Sequence, residues 1–128
     1  LNSINQDFRV LIIENSNNSQ FKIDIEKRYL NVHCELAGEN LGYAKGNNLG
    51  LSKVTSKYAL ILNPDTILKK DSIKIFFETA NQYPNFAIIG PGVQEKKDIQ
   101  LKKEENVTNL IEVKTVKGFA MFLNIKKF

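Results

Sequence analysis

The stretch that most constrains this chain is YALILNPDT, residues 58–66. Its apolar run, Ala59-Leu60-Ile61-Leu62, stops abruptly at Asn63-Pro64-Asp65-Thr66. A short unbroken apolar run bounded by turn residues suits a strand buried on both faces, and a buried helix segment gives the same pattern. Length favours the strand, because Pro64 would disrupt a helix continuing through it. Pro64 also biases Asn63 toward an extended conformation. The chain thus delivers one carboxylate, Asp65, just past the carboxyl end of a strand, where open α/β sheets bind their ligands.

The same arrangement occurs earlier. Residues 8–13 (FRVLII) form a second buried-strand candidate, which gives way at Glu14 to the polar loop Glu14-Asn15-Ser16-Asn17-Asn18-Ser19. Before it, Leu1 and Ile4 stand at helical spacing, as in the tail of a helix. Residues 20–29 suit a short helix and residues 30–36 (LNVHCEL) a strand. On that strand His33 and Cys34 are neighbours and point to opposite faces, so they are not expected to share a metal. Residues 43–57 are expected to be helical. Asp71 is placed to cap a helix over residues 72–82, whose Ile73, Phe76, Phe77 and Ala80 fall on one face. Pro84 ends it. Residues 86–89 make a short strand closed by Gly90-Pro91-Gly92. Residues 94–109 form a polar loop too long for a simple connector, residues 110–117 are β-favouring in part, and residues 118–125 read as a final strand. Strands and helices alternate, with strands of the buried parallel type, which indicates a three-layer α/β/α fold.

The glycine-rich stretch AGENLGYAKGNNLG, residues 37–50, places Gly42, Gly46 and Gly50 on one helix face. Such a face serves close helix packing; equally, a glycine-rich helix start brings backbone N–H groups to a ligand, often a phosphate. The stretch matches neither GxGxxG nor a Walker loop.

Composition narrows the classes. With 128 residues, 42% of them hydrophobic, the chain can bury the core of a single domain. No apolar run approaches the roughly 20 residues that span a bilayer, and no signal peptide is evident. One cysteine cannot form an internal disulfide, so no oxidising compartment is implied. The net charge of +4 is mild, and Lys96, Lys97, Lys102 and Lys103 are interspersed with Glu95, Asp98, Glu104 and Glu105. That mixture reads as a solvated loop and not as a nucleic-acid patch. Attraction to an anionic membrane surface stays open.

Taken together, IIENSNN, ENLGYAKGNN, LILNPDT and VKGFAMFLNIKKF, in this order, resemble the family-2 glycosyltransferases of GT-A fold, most closely their rhamnosyltransferase-like branch. The resemblance covers nearly the whole chain and implies a single, partial, Rossmann-like GT-A domain over residues 1–128. It implies that Glu14-Asn15 recognise the nucleotide base, although the usual acid is Asp, and a further Asp often stands at the position of Asn18. It makes Asn40, Gly42 and Asn48 contacts to the nucleotide-sugar. Asn63-Pro64-Asp65 matches the metal-binding motif of this branch, with Asp65 the ligand and Asn63 facing the ribose or diphosphate. Gly118 matches a glycine under the acceptor site, and Lys117 departs from the small residue usual before it. The family's opening strand would precede Leu1 and its catalytic base would lie beyond Phe128, so the chain reads as a fragment.

The implied chemistry is inverting transfer of a sugar, with dTDP-rhamnose the donor the branch suggests, to a glycan or lipid-linked acceptor in the cytoplasm or at the inner face of the cell membrane. A diphosphate leaving group builds negative charge that Mg²⁺ or Mn²⁺ on Asp65 would neutralise. Two competing readings are a non-catalytic nucleotide-binding module and a receiver-like signalling domain. On its own, Asp65 after Pro64 is also ordinary turn chemistry.

Overall fold

The structure is a computed structural model that describes residues 8–92, 110 and 112–128. They fall into two compact units, divided between Thr55 and Ser56. The fold class is α/β, consistent with a Rossmann-like arrangement.

In the first unit the order is β1 (Val10–Glu14), α1 (Ser19–Arg28), β2 (Val32–Leu36) and α2 (Gly42–Leu51). β1 and β2 pair in parallel, with Val10 opposite Val32 and Glu14 opposite Leu36. Parallel neighbours need a crossover, and α1 supplies it. Asn18 starts α1: its backbone is extended and its side chain accepts a hydrogen bond from the Phe21 N–H. Lys27 and Arg28 in the last turn suit the negative end of the helix. On β2, Val32 and Cys34 are buried while His33 is exposed, as the strand period requires.

The outer edge of β2 has no partner strand among the described residues. Helix α1 covers it instead. The Cys34 N–H donates to Glu26 Oε1 at 2.7 Å, and Lys22 Nζ donates to the Cys34 carbonyl. Glu26 also lies 3.1 Å from His33 Nδ1, and Glu35 takes Lys53 at 3.2 Å. Burial, then the nearby Glu26 carboxylate, raises the Cys34 thiol pKa, so this cysteine is a small core residue.

Helix α2 stops at Leu51, six residues short of the expected end. Hydrogen bonds from Lys53 to Gly50 and from Val54 to Leu51 tighten its last turn. The β-branched pair Val54-Thr55 and the flanking serines then favour leaving the helix. Its glycine face is a packing face: a Cβ at Gly50 would lie 3.3 Å from Ile13, and one at Gly46 would touch Asn15 and Ile13.

The second unit contains β3 (Tyr58–Leu62), α3 (Ser72–Gln82), β4 (Ile88–Ile89) and β5 (Ala120–Asn124), followed by a 3-10 turn at Ile125–Lys127. The strand order is β3-β5-β4, and β5 runs antiparallel to both neighbours. The parallel-type expectation therefore fails for these strands: an apolar run signals coverage by other elements, not the direction of its neighbour. β3 itself is half-buried from Tyr58 to Ile61. The expected strand at residues 86–89 shrinks to Ile88–Ile89. Residues 110 and 112–117 form no strand, and Gly118 lies in the turn before β5. The expected loop 94–109 lies outside the described residues.

The core of this unit is aromatic. Phe76, Ala80, Ile89 and Phe122 are buried, with Tyr58, Leu60, Phe77 and Phe86 packed against them. The Phe122 ring stacks on Phe76 at 5.3 Å and Phe86 at 5.9 Å and meets Phe77 edge-on at 5.5 Å. The expected face of α3 thus points inward. Asp71 does precede α3, but its side chain makes no capping hydrogen bond because its backbone is not extended there (φ −103°, ψ 7°). Behind β4, Gly90 allows a close approach, since a Cβ there would lie 2.3 Å from Val116 Cγ1. No helix among the described residues is long and apolar enough to cross a membrane.

Because Phe122 is 3% exposed and meets four aromatic rings, Phe122→Ala is expected to destabilise the protein by about 3–5 kcal/mol. Ile88, which is exposed, should tolerate the same change with a loss below about 1 kcal/mol. Urea denaturation of both variants checks this; equal midpoints would refute the assignment of Phe122 to the core.

Candidate functional site

In the first unit the polar residues gather where β1 ends. Glu14 turns its carboxylate back onto its own loop. Oε1 accepts from the Ser16 N–H at 3.1 Å and from the Ser16 hydroxyl, and Oε2 accepts from the Asn18 N–H. These donors, the Ser16 hydroxyl first, hold the Glu14 carboxyl below its ordinary pKa.

Asn15 points the other way, toward the start of α2. Its Oδ1 accepts from the Leu41 N–H at 2.9 Å, and its Nδ2 donates to Asn40 Oδ1 at 3.2 Å and to the Gly42 carbonyl at 3.4 Å. Asn40 Oδ1 in turn accepts from the Gly42 N–H at 2.9 Å. Gly42 has φ +71°, with open space where a Cβ would stand. This conformation disfavours any residue with a side chain. Four of the residues expected at the site, Glu14, Asn15, Asn40 and Gly42, are therefore brought together. Asn48 is not one of them. It is exposed on α2, two residues beyond Gly46, and so about 200° round the helix from the face that packs on β1.

In the second unit the turn after β3 is fixed by β5. The Asn63 N–H donates to the Phe119 carbonyl at 3.0 Å, and the Thr66 hydroxyl donates to the same carbonyl at 3.2 Å. The Thr66 N–H closes a β-turn onto the Asn63 carbonyl at 3.0 Å. Pro64 occupies the second position of that turn, the position its fixed φ favours. Asp65, the third residue, is exposed, and its carboxylate has no hydrogen bond or ion pair among the described residues. Leu62 pairs with Ala120, so Gly118 and Phe119 stand at the same edge as Asn63 and Asp65.

Among the described residues no three His, Cys, Asp or Glu side chains are grouped to hold a metal ion. A lone exposed carboxylate instead fits the Mg²⁺ pattern of one protein ligand completed by phosphates and water. Two parts of the arrangement were not foreseen from the residues. One is the Asn18 cap on α1, signalled by an Asn just before a helical pattern. The other is the Phe119 carbonyl, a backbone group with no sequence signature.

Residues 1–125 match the family described as Glycosyl transferase family 2. The chain is also similar to the low-salt glycan biosynthesis hexosyltransferase Agl10 of Haloferax volcanii, with 28% identity over 97 residues. That similarity covers 73% of this chain and 31% of the relative, so the chain spans about a third of that protein's length. No solved structure matches.

The geometry of the first unit gives two expectations. Gly42→Ala should cost about 1–2 kcal/mol through its left-handed backbone alone, read as a lowered urea midpoint; an unchanged midpoint would refute the strained start of α2. The second concerns acid. Glu14, Glu26 and Glu35 all have lowered pKa values in the fold, against an ordinary 4.5. Their contribution is thus complete above about pH 4.5 and is lost as pH falls through the lowered values. Between pH 7 and pH 3 the melting temperature should fall, and Glu14→Gln should flatten that fall. An identical acid limb in the variant would refute the role of Glu14 in the loop.

Proposed function

This chain belongs to glycosyl transferase family 2, and from that premise we propose that it binds a nucleotide-diphosphate sugar and serves the transfer of that sugar to a glycan or lipid-linked acceptor. The observation that carries this reading is the exposed Asp65 carboxylate, held by the Asn63–Thr66 turn at the carboxyl end of β3. Ligands of α/β sheets bind at such strand ends. The name of the haloarchaeal relative, a hexosyltransferase of glycan biosynthesis, supports the same substrate class.

Loop 14–18 and the start of α2 supply the nucleotide side. Asn15 and Asn40 keep residues 40–42 in place, so that little ordering remains when the donor binds. Asp65 would hold Mg²⁺ or Mn²⁺, and Asn63 faces the ribose or diphosphate. When bound, the ion supplies positive charge against the diphosphate leaving group. Gly118, at the edge shared with Asp65, belongs to the acceptor side.

The finer assignment is inverting transfer from a dTDP-rhamnose-type donor, in the rhamnosyltransferase-like branch. Its support is the Asn63-Pro64-Asp65 form of the metal motif. The reaction is assigned to the cytoplasm or the inner face of the membrane. The net charge of +4 favours contact with an anionic surface there.

Calorimetry with UDP and dTDP, with and without Mn²⁺, tests the reading. Binding should strengthen at least about tenfold with the metal, the scale of one or two charge-assisted contacts. Asp65→Ala should abolish that increment while leaving metal-free binding intact. Metal-independent binding, or full metal dependence in Asp65→Ala, would sink the assignment of Asp65.

A further inference from the structure

The last turn of α1 and the chain reversal after it combine two features that donor binding does not use. One is charge. Arg9, Lys27 and Arg28 are exposed, and none has an ion pair among the described residues. Arg28 lies over the Tyr29 ring, 5.3 Å from its centroid. The acids of α1 are occupied. Asp24 accepts from Gln20 at 2.9 Å, and Glu26 turns to Lys22, His33 and the Cys34 N–H.

The other feature is apolar exposure. Leu30 is 100% exposed, and Ile23, one turn before Lys27 on α1, is 57% exposed. The backbone fixes Leu30 at a tip. The Tyr29 N–H ends the helix on the Ile25 carbonyl at 3.0 Å, and the Val32 N–H donates to the Tyr29 carbonyl at 3.1 Å. The Asn31 carbonyl accepts from the Val10 N–H at 2.9 Å. Leu30 and Asn31 are thus the central residues of a turn, where polar residues and glycine are usual. A single exposed leucine is ordinary. A leucine held at a turn tip beside cations that have no ion pair is the composition of an interfacial anchor. The tip lies at the amino end of β2, one strand length from the polar cluster where β1 and β2 end.

We propose that this end of the first unit docks on an anionic lipid surface, with Leu30 entering the acyl boundary and Arg9, Lys27 and Arg28 meeting the headgroups. The negative surface potential of such a membrane favours each nearby cation by about fivefold in affinity. Burying a leucine side chain adds about tenfold or more. The loops at the carboxyl ends of β1 and β2 then stay open to soluble ligands. This contact is independent of which nucleotide the protein binds, so its test is run without nucleotide or metal.

Co-sedimentation of the full chain compares vesicles of equal parts phosphatidylglycerol and phosphatidylcholine with vesicles of phosphatidylcholine alone. The anionic vesicles should bind at least about tenfold more tightly, and the difference should shrink as ionic strength rises. Lys27→Gln combined with Arg28→Gln should weaken that binding about twentyfold. Lys69→Gln combined with Lys70→Gln makes the same change in net charge at other exposed positions, and should weaken it less than about twofold. The chain has no tryptophan, so Leu30→Trp places a single fluorophore at the tip, and its emission should shift to the blue on anionic vesicles. Leu30→Ser should weaken binding about tenfold and leave the urea midpoint unchanged, because the side chain is fully exposed.

Equal binding to neutral vesicles, equal losses in the two double variants, or a Leu30→Trp spectrum that anionic vesicles do not move would each overturn the proposal. So would binding to heparin with none to vesicles, which would mark a site for a soluble polyanion. Failure to bind UDP or dTDP would sink the donor reading alone and leave this contact standing.

Discussion

Where a β-strand stops, the backbone donors that follow it still need acceptors, and both units are organised by how that need is met. After β1 the acceptors are side chains. Glu14 collects the N–H groups of its own loop, and Asn15 reaches across to the start of α2. After β3 the acceptors are carbonyls, those of Asn63 and Phe119. The difference decides what is left over. In the first unit the carboxylate nearest the strand end is consumed in holding the chain. In the second the turn is held by backbone, and its carboxylate, Asp65, remains available to an outside partner.

Much of the fold was legible because its signals are local. The apolar run at residues 59–62 and Pro64 marked β3. The spacing of Ile73, Phe76, Phe77 and Ala80 marked α3, whose bounds agree with the expected residues 72–82. The alternation of His33 and Cys34 marked β2 and removed a metal site from consideration. What sequence could not supply was pairing. No local pattern says that β5 returns antiparallel between β3 and β4, because direction is set by the path of the intervening chain.

The candidate site shows the same division. The resemblance of the motifs to a known family singled out Glu14, Asn15, Asn40 and Gly42, and the structure does bring them together. Their roles were less legible. Gly46 and Gly50 read equally well as packing or as ligand approach, and only the nearness of Ile13 decides for packing. Glu14 was expected at the nucleotide base through the family resemblance. Its orientation depends on loop 14–18 curling under it, which no count of turn formers reveals. The Asp71 cap failed for a related reason: the residue stands in the right place, but its backbone angles do not aim the side chain at the helix.

The cover over the outer edge of β2 has its own consequence. An open strand edge is a template for another extended chain, and here it is closed by the charged tips of Lys22 and Glu26, not by a neighbouring strand. Such a guard is only as durable as the charge on Glu26. Protonation would loosen its hold on the Cys34 N–H and expose that edge to a second molecule. The same few atoms that seat α1 on β2 thus also occupy the backbone groups that an added strand would use.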